Sequence, residues 1–471
     1  MSRSEESHQH HPQQHGKAVL TRVLDEMGLV TVWRSPRDVK LLCAQRFVRL
    51  FAYGASTLIL VSYLSALAIS EERIGLFMTL TLVGDVVISF LLTLFADAMG
   101  RRAVLSLGSA LMAGSGVVFG LGAGFWGLLA AAVLGVISPS GNEIGPFRAV
   151  EESTLAHLTP HEHLSDIFAW YSLLGTAGTA LGMMSCGWAI KFLQVTKGCD
   201  FITACRIMFF GYAAVGVVKL VLTLCLSRKV EAIQEEDRAA EDAQESGETE
   251  ALLGDRPREE SQQQQQQQPP KKDKPSLFAA FDRDLLSLVL KLFLLFGLDS
   301  FASGLASLSW MTYFFKRKFS LPESELGSIF FTTSIISAAS MIVASSIAKR
   351  IGNVKTMVFT HLPSAICLAM IPFPSALPLA LMFLILRACT QNMDVAPRSA
   401  FLASALPSDK RTAIMGAVNV VKTSAQSMGP LITGVLASRG LFGASFTVAG
   451  VLKACYDIGM LVCFGGRSAR R

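Results

Sequence analysis

The sequence predicts an all-α membrane protein with two six-helix halves and a disordered cytosolic linker between them. Three observations predict it: the composition, the series of apolar segments and an internal repeat. Of the 471 residues, 51% are hydrophobic and 17% are charged, and the mean hydropathy is +0.45. These values exclude an ordinary soluble protein. The formal charge of +6 is small for this length, so nucleic acid is not an expected partner.

Twelve segments are long and apolar enough to cross a bilayer, because a spanning helix needs about 20 mostly apolar residues. In chain order, these predicted spans are residues 47–69, 75–96, 103–121, 125–147, 165–190, 205–226, 287–314, 326–348, 355–373, 376–396, 411–436 and 442–464. The intervals between them are short, except after the sixth span.

That long interval is acidic, rich in glutamine and rich in proline, so it cannot bury a core and is predicted to be disordered. With this linker and the two tails, the chain has five parts. They are a cytosolic N-terminal tail (1–46), an N-terminal half (47–226), the linker (227–284), a C-terminal half (285–464) and a C-terminal tail (465–471). Both tails and the linker are expected on the cytosolic side, since the number of spans is even.

The two halves contain similar sequences at matching places. "GNEIGPFR" near the end of the fourth span is repeated by "QNMDVAPR" near the end of the tenth, which aligns Asn142 with Asn392 and Arg148 with Arg398, both 250 residues apart. "ADAMGRRA" after the second span aligns with "AKRIGNVK" after the eighth. Two six-helix repeats related by an axis along the membrane normal are one known way to build a transporter.

With these features, the loop "DAMGRR" gives the chain a resemblance to the major facilitator superfamily. The residues that match the loop signature of that family are Asp97, Gly100, Arg101 and Arg102. Thr93 and Ala98 depart from it. The resemblance implies a cytosolic conformational latch between the halves. The positive-inside rule is an alternative for the arginines, but it does not account for the aspartate and the glycine.

Two other family patterns are incomplete. The fourth span has no arginine before Arg148, and the glycine-rich fifth span has no proline. Proton coupling and the direction of transport therefore stay open at this point. The glycine-rich stretches of the third and fifth spans predict close helix packing.

The fourth and tenth spans end in proline, glycine and polar residues. Broken helices expose backbone groups that lipid cannot satisfy, so they are tolerated against protein or a water-filled cavity. In the family, the first, fourth, seventh and tenth spans line the central cavity. We expect flexible polar gates at its cytosolic mouth, with water-exposed side chains at Asn142, Glu143, Asn392 and Asp394. Simple interfacial helix ends are the alternative.

Ionisable residues at membrane depth are functional candidates because burying a charge there is costly. Four lie near the middle of spans: Asp85, Asp299, Arg387 and Lys422. Asp85 has no evident basic partner in its own half, so it is the proton-coupling candidate. The other three either bind solute or pair structurally, for instance Asp299 with Arg387. Further candidates for lining the cavity are Tyr53, Tyr171 and Asn419, with Trp310 as either a cavity residue or an interfacial anchor.

Neither a metal site nor a cofactor is expected. The nine cysteines form no CxxC motif, although a disulfide between Cys199 and Cys205 remains open. The linker sequence "ETEALL" fits an acidic dileucine sorting pattern through Glu248, Leu252 and Leu253. The plasma membrane is the favoured location, and a vacuolar or endosomal membrane is the alternative.

These features favour a secondary transporter of a small organic solute that works by alternating access with proton coupling, and export of a metabolite or drug over uptake. An organic-anion uptake carrier and a transporter-like sensor are the alternatives. The chain has no nucleotide-binding loop or catalytic motif and is not expected to be an enzyme. The expected partners are the solute, protons and lipid, and the expected state is a monomer.

Overall fold

The fold is described by a computed structural model, which covers residues 29–135, 137, 146–231, 283–407 and 410–465. This part of the chain is helical. Its α-helices are α1 Leu29–Arg34, α2 Arg37–Ala66, α3 Glu71–Met99, α4 Arg101–Leu121, α5 Phe125–Leu134, α6 Pro146–Leu158, α7 Leu164–Val195, α8 Phe201–Leu224, α9 Arg283–Leu305, α10 Leu308–Phe319, α11 Glu323–Ile351, α12 Asn353–Met370, α13 Leu377–Thr390, α14 Val395–Ala405, α15 Arg411–Ser438 and α16 Phe442–Phe464.

The predicted spans correspond to α2 through α16 in chain order. The fourth, seventh and tenth spans are each built from two helices: α5 and α6, α9 and α10, and α13 and α14. Within the described residues, six helical stretches are long and apolar enough to cross a membrane: Arg37–Ala66, Arg101–Leu121, Asp166–Val195, Phe201–Leu224, Leu285–Phe319 and Phe442–Phe464. Helices α5 and α13 are shorter but apolar.

The first span begins at Arg37, ten residues before the predicted start at 47. Asp38, Gln45 and Arg46 lie in this extra segment, and all three are buried. Their polarity hid the start of the helix from hydropathy, whereas in the fold they pack against the rest of the N-terminal half.

Small residues bring helices within each half into close contact. A methyl group added at Gly182 of α7 would lie 1.9 Å from the carbonyl oxygen of Phe51 in α2, and one at Gly54 would lie 2.1 Å from that of Thr179. Only glycine permits such an approach of two backbones. The predicted packing role of the glycine-rich fifth span is confirmed.

Glycines also join the two halves, where α3 packs on α15 and α7 packs on α11. A methyl group at Gly434 would lie 2.4 Å from the Glu71 carbonyl oxygen, and the nearest atoms to one at Gly75 belong to α15. Gly187 of α7 and Gly327 of α11 make the equivalent contact. Gly75 and Gly327 are 252 residues apart, as are Gly100 and Gly352 in the aligned loops, so the two contacts use corresponding places in the two halves.

The repeat is visible in the backbone conformation too. Gly100 and Gly352, which lie in the two aligned loops, have φ angles of 87° and 86°. Residues with a side chain rarely adopt this region, so glycine is required at both loops. The structure therefore confirms the 6+6 organisation that the sequence predicts.

Candidate functional site

The polar segments of the fourth and tenth spans interrupt helices. Helix α5 ends at Leu134 and the span resumes as α6 at Pro146, while α13 ends at Thr390 and α14 starts at Val395. Proline suits the first turn of α6 because the amide it lacks has no partner inside the helix there. The prediction that the spans finish at these segments is wrong, because a polar, proline-containing helix of low hydropathy follows each of them.

The side chains of the second interruption bind protein. Asn392 donates from Nδ2 to Ser337 Oγ on α11 at 2.7 Å, and Gln391 donates to the same oxygen at 3.3 Å. Asp394 is 2% exposed and pairs with Arg398 one turn later in α14. The predicted exposure of Asp394 to water is therefore wrong. Asn142 and Glu143 lie outside the described residues.

A buried carboxylate organises the N-terminal half. Glu151 of α6 is fully buried and accepts hydrogen bonds from Arg49 of α2 at 2.7 Å and from the Tyr171 hydroxyl at 2.6 Å. Lys219 of α8 lies 3.7 Å from its other oxygen. The Arg46 guanidinium lies over the Tyr171 ring, 4.6 Å from its centroid. Four helices, α2, α6, α7 and α8, thus meet at one negative charge, which we call the Glu151 cluster (Arg46, Arg49, Glu151, Tyr171 and Lys219).

A second cluster occupies the C-terminal half. Lys453 of α16 donates to Asp299 Oδ1 of α9 at 2.6 Å and to Ser303 Oγ at 2.8 Å. Arg398 lies 3.4 Å from the other Asp299 oxygen and also pairs with Asp394. We call these residues the Asp299 cluster (Asp299, Ser303, Asp394, Arg398 and Lys453). The same three spans of each half, its first, fourth and sixth, carry the charged partners in both clusters.

The Asp299 cluster corrects a prediction. The suggested pair of Asp299 with Arg387 is wrong, because Lys453 and Arg398 occupy both oxygens of that carboxylate. Arg387 is half-buried on α13 and forms no ion pair within the described part of the chain.

Asp85 lies in the interior of α3 and is 3% exposed. It interacts electrostatically with the hydroxyl groups of Tyr53 on α2 and Tyr212 on α8, and Tyr212 also interacts with Arg49. Two basic residues of its half lie inside the protein, with Lys219 buried and Arg49 half-buried. Its role in proton coupling stays a prediction.

Two candidates lie on α15. Lys422 is half-buried, and its Nζ lies 5.9 Å from the centroid of the Phe296 ring on α9. It interacts electrostatically with Asp299 and Asp394, yet within the described residues it forms no ion pair as close as 4 Å. Asn419, one turn earlier, is exposed.

The aromatic candidates are structural. Trp310 is fully buried, with its ring packed edge-on to Phe442 at 5.5 Å between centroids, so it is not an interfacial anchor. Tyr171 belongs to the Glu151 cluster. Tyr53 remains half-buried beside Asp85.

The proposed latch loop contacts its own half. Arg102 donates to the backbone carbonyl oxygen of Leu224 at the end of α8, and a methyl group at Gly100 would lie 3.3 Å from the Glu231 carboxylate. Arg101 is half-buried. The side chain of Asp97 is not among those described. A role as a latch between the halves therefore stays a prediction.

Sequence reasoning also missed a buried pair in the C-terminal half. His361 Nδ1 of α12 lies 3.0 Å from each carboxylate oxygen of Asp457 on α16, and the two residues are 4% and 0% exposed. The signal was present, since "LKACYDIGML" and "FTHLPSAICL" place ionisable groups inside apolar runs.

The two halves are bonded at one end of the molecule, which we call the closed end. There Tyr313 of α10 binds Ser65 at 3.2 Å and Glu71 at 3.2 Å, and Arg317 pairs with Glu71. Trp188 binds Ser328 there at 3.2 Å. The opposite end, where the chain leaves α8 and enters α9, is called the linker end. Among the described residues, no hydrogen bond or ion pair joins the halves at the linker end.

The cysteines and histidines of the loops form no site. Cys199 and Cys205 are both free, so the disulfide left open by the sequence does not form. Within the described residues, no group of histidine, cysteine and acidic side chains is arranged to hold a metal ion. The sorting residues Glu248, Leu252 and Leu253 lie outside the described part of the chain.

Comparisons with known proteins agree with this geometry. The uncharacterized membrane protein YJR124C of Saccharomyces cerevisiae is 36% identical over 442 residues, which cover 92% of this chain and 95% of that protein. A bacterial homologue of the human lysosomal transporter Spinster, in an inward-facing conformation, has a TM-score of 0.62 at 12% identity and covers 92% of this chain and 96% of its own. The xylose transporter XylE of E. coli, in an inward-open conformation, has a TM-score of 0.64 at 14% identity, covering 89% and 94%.

The family model described as "Major Facilitator Superfamily" matches residues 42–314 and, a second time, 276–470. One match falls mainly on each six-helix half, as the internal repeat requires. This chain belongs to the Major Facilitator Superfamily.

Proposed function

We propose that the protein is a secondary active transporter that moves a small organic solute by alternating access with proton coupling. The observation that supports this most strongly is the asymmetry between its ends: bonds join the halves at the closed end, while charge clusters stiffen each half separately. Two rigid bodies held together at one end can tilt to expose a site between them to either side.

The side on which the linker end lies decides which way the described conformation faces. The charged tails and linker favour a cytosolic position for that end. The bonds of the closed end then lie on the outer side, as expected of a carrier that faces the cytosol. We propose export of a metabolite or drug as the function, at the plasma membrane, with organic-anion uptake or an endosomal location as alternatives. The closed end already holds the bonds that an inward-open carrier must break to release solute outside.

A transporter-like sensor is the competing function, because a sensor also binds solute and changes conformation. Flux into proteoliposomes separates the two. The full-length protein is reconstituted, and uptake of a labelled panel of organic acids, amines and hydrophobic drugs is measured with and without an imposed pH gradient. Binding without movement of any bound compound would favour a sensor.

Asp85 provides the test of proton coupling. Asp85→Asn should abolish accumulation driven by a pH gradient, while counterflow exchange of the same solute continues, because exchange needs only reorientation of the cavity. The two assays are run on the same vesicles. Replacement of the exposed Glu72, which lies on the same helix α3, by Gln is the matched control and should leave both intact. Normal pH-driven accumulation in Asp85→Asn would remove Asp85 from the coupling step.

Gly100 tests the latch. Gly100→Val should slow transport at least tenfold and change solute affinity little, because a β-branched residue strains the loop at φ 87° without touching a solute site. Gly416→Val is the control, since no atom lies within 4 Å of a methyl group added there. If Gly100→Val lost solute affinity but transported the bound solute at the normal rate, the assignment of this loop as a latch would be contradicted.

A further inference from the structure

The His361–Asp457 pair has a defined proton arrangement. An ionised carboxylate can only accept hydrogen bonds, and both of its oxygens lie 3.0 Å from Nδ1. As long as Asp457 is ionised, Nδ1 carries a proton in the neutral imidazole as well as in the imidazolium. Any additional proton binds at Nε2, and the approach of the ring to Asp457 is kept in both states.

The pair is connected to the Asp299 cluster. The His361 imidazole interacts electrostatically with Asp299 as well as with Asp457. The ring of Tyr456 lies between them, 6.0 Å from the His361 ring and 5.7 Å from the Arg398 guanidinium, measured to its centroid. A positive charge added at His361 therefore changes the electrostatic energy of the Asp299 cluster.

The helices packed against α12 are α11, α13, α14 and α16. Helix α11 carries charged residues only in its first and last turns, and α13 carries Arg387. Among the titratable and charged groups of α14, α16 and, behind them, α9 and α15, those that interact with this pair or with the Asp299 cluster are Asp394, Arg398, Lys453, Tyr456, Asp457, Asp299 and Lys422.

The charges of these groups balance in two ways. With His361 neutral, three carboxylates (Asp299, Asp394 and Asp457) face three cations (Arg398, Lys453 and Lys422). With His361 protonated, the carboxylates are matched by His361, Arg398 and Lys453 alone. Lys422 then becomes the surplus cation.

Lys422 is suited to be the surplus cation because its ammonium has weaker contacts with carboxylates than Arg398 and Lys453 have. Its ammonium is half-buried beside Phe296 and forms no ion pair with any described residue, whereas Lys453 donates to Asp299 at 2.6 Å. A surplus cation at membrane depth is costly unless an anion accompanies it.

We propose that the His361–Asp457 pair is a protonation site of the C-terminal half, and that the proton it takes up makes Lys422 available to an anionic group of the solute. The inference rests on the transport function proposed above and favours its organic-anion uptake form, and it adds a second proton site besides Asp85. Histidine suits this role because its imidazole can gain and lose a proton at Nε2 while Nδ1 keeps its contact with Asp457. Proton and anion then bind together, and the protein stays electrically balanced in the loaded and empty states.

The first test needs no solute. Full-length protein with ¹³C-labelled histidine is placed in nanodiscs, and the imidazole signals are followed by NMR from pH 5 to pH 9. The signal lost in His361→Gln identifies the residue. In Lys422→Met, the imidazolium form should persist to a higher pH, because one positive charge has been removed from the same group of charges.

Lys291→Met is the matched control, since it also removes one lysine from the C-terminal half but from the exposed face of α9, and it should leave the titration unchanged. An identical His361 titration in wild type and Lys422→Met would overturn the proposed coupling. So would a His361 that stays in one protonation state throughout. Either result leaves the flux assay free to support the transport function.

The second test uses benzoate and succinate as probe anions. Thermal stability is compared in their sodium salts and in sodium chloride at pH 5.5 and pH 8. At least one should stabilise the wild type more at pH 5.5, and this dependence on pH should disappear in both His361→Gln and Lys422→Met. Absence of any anion effect, or an effect retained in Lys422→Met, would overturn the assignment of Lys422 to an anionic solute.

Discussion

Lys453→Met should destabilise the protein by about 3–5 kcal/mol, the size expected when one partner of a buried ion pair is removed. Lys453 is 7% exposed, and its ammonium lies 2.6 Å from Asp299, which is itself 4% exposed. Without it, the remaining ion pair of Asp299 with a described residue is the longer one with Arg398, at 3.4 Å. The measurement is the thermal unfolding of the detergent-solubilised protein.

A double-mutant cycle shows whether the loss belongs to the pair. Asp299→Leu should also be destabilising by itself, whereas Asp299→Leu with Lys453→Met should recover much of the stability, because neither charge is then stranded. Lys291→Met should change little. If the effects of the two single substitutions simply add, Lys453 stabilises the fold by some means other than Asp299.

Gly434→Leu should open the closed end. Its side chain would begin 2.4 Å from the carbonyl oxygen of Glu71, and a backbone group cannot move aside as a flexible side chain can. The halves must separate there, which removes the bonds of Glu71 to Tyr313 and Arg317. Transport should be lost, and the conformations should shift away from the one described.

The shift can be measured at Ser65, which binds Tyr313 across the closed end. Ser65→Cys, in a background whose exposed cysteines are replaced, should react faster with a membrane-impermeant maleimide when Gly434→Leu is present. Gly416→Leu on the same helix has open space around it and serves as the control. Unchanged labelling with preserved transport would show that this contact does not seal the closed end.

The sequence predicted the architecture well because hydropathy and repetition are local properties. The twelve spans, the division into halves and the packing role of glycines such as Gly182 all followed from the order of residues. The interruption at residues 391–394 was recognised as well. Its position inside the tenth span was not predicted. The helix that follows it, α14, contains Pro397, Arg398 and two serines and lacks the apolar character of a membrane helix.

Charge pairing was much harder to predict, because it depends on which helices meet. Asp299 was recognised as a candidate, yet its partner Lys453 lies 154 residues away, and Arg387 was closer in the chain and equally plausible. Glu151 looked like part of a cytosolic loop until α6 carried it into the core. A search for every ionisable residue inside an apolar run would have found Lys219, His361 and Lys453.

The glycine contacts between the halves have a mechanical consequence. Gly75 with Gly434 and Gly187 with Gly327 give two places where backbone touches backbone without intervening side chains. A line drawn through these two contacts is an axis about which one half can rotate against the other. No side chain then has to change rotamer at the pivot as the halves tilt. A larger residue at any of these four positions would push the two backbones apart and tilt one half relative to the other.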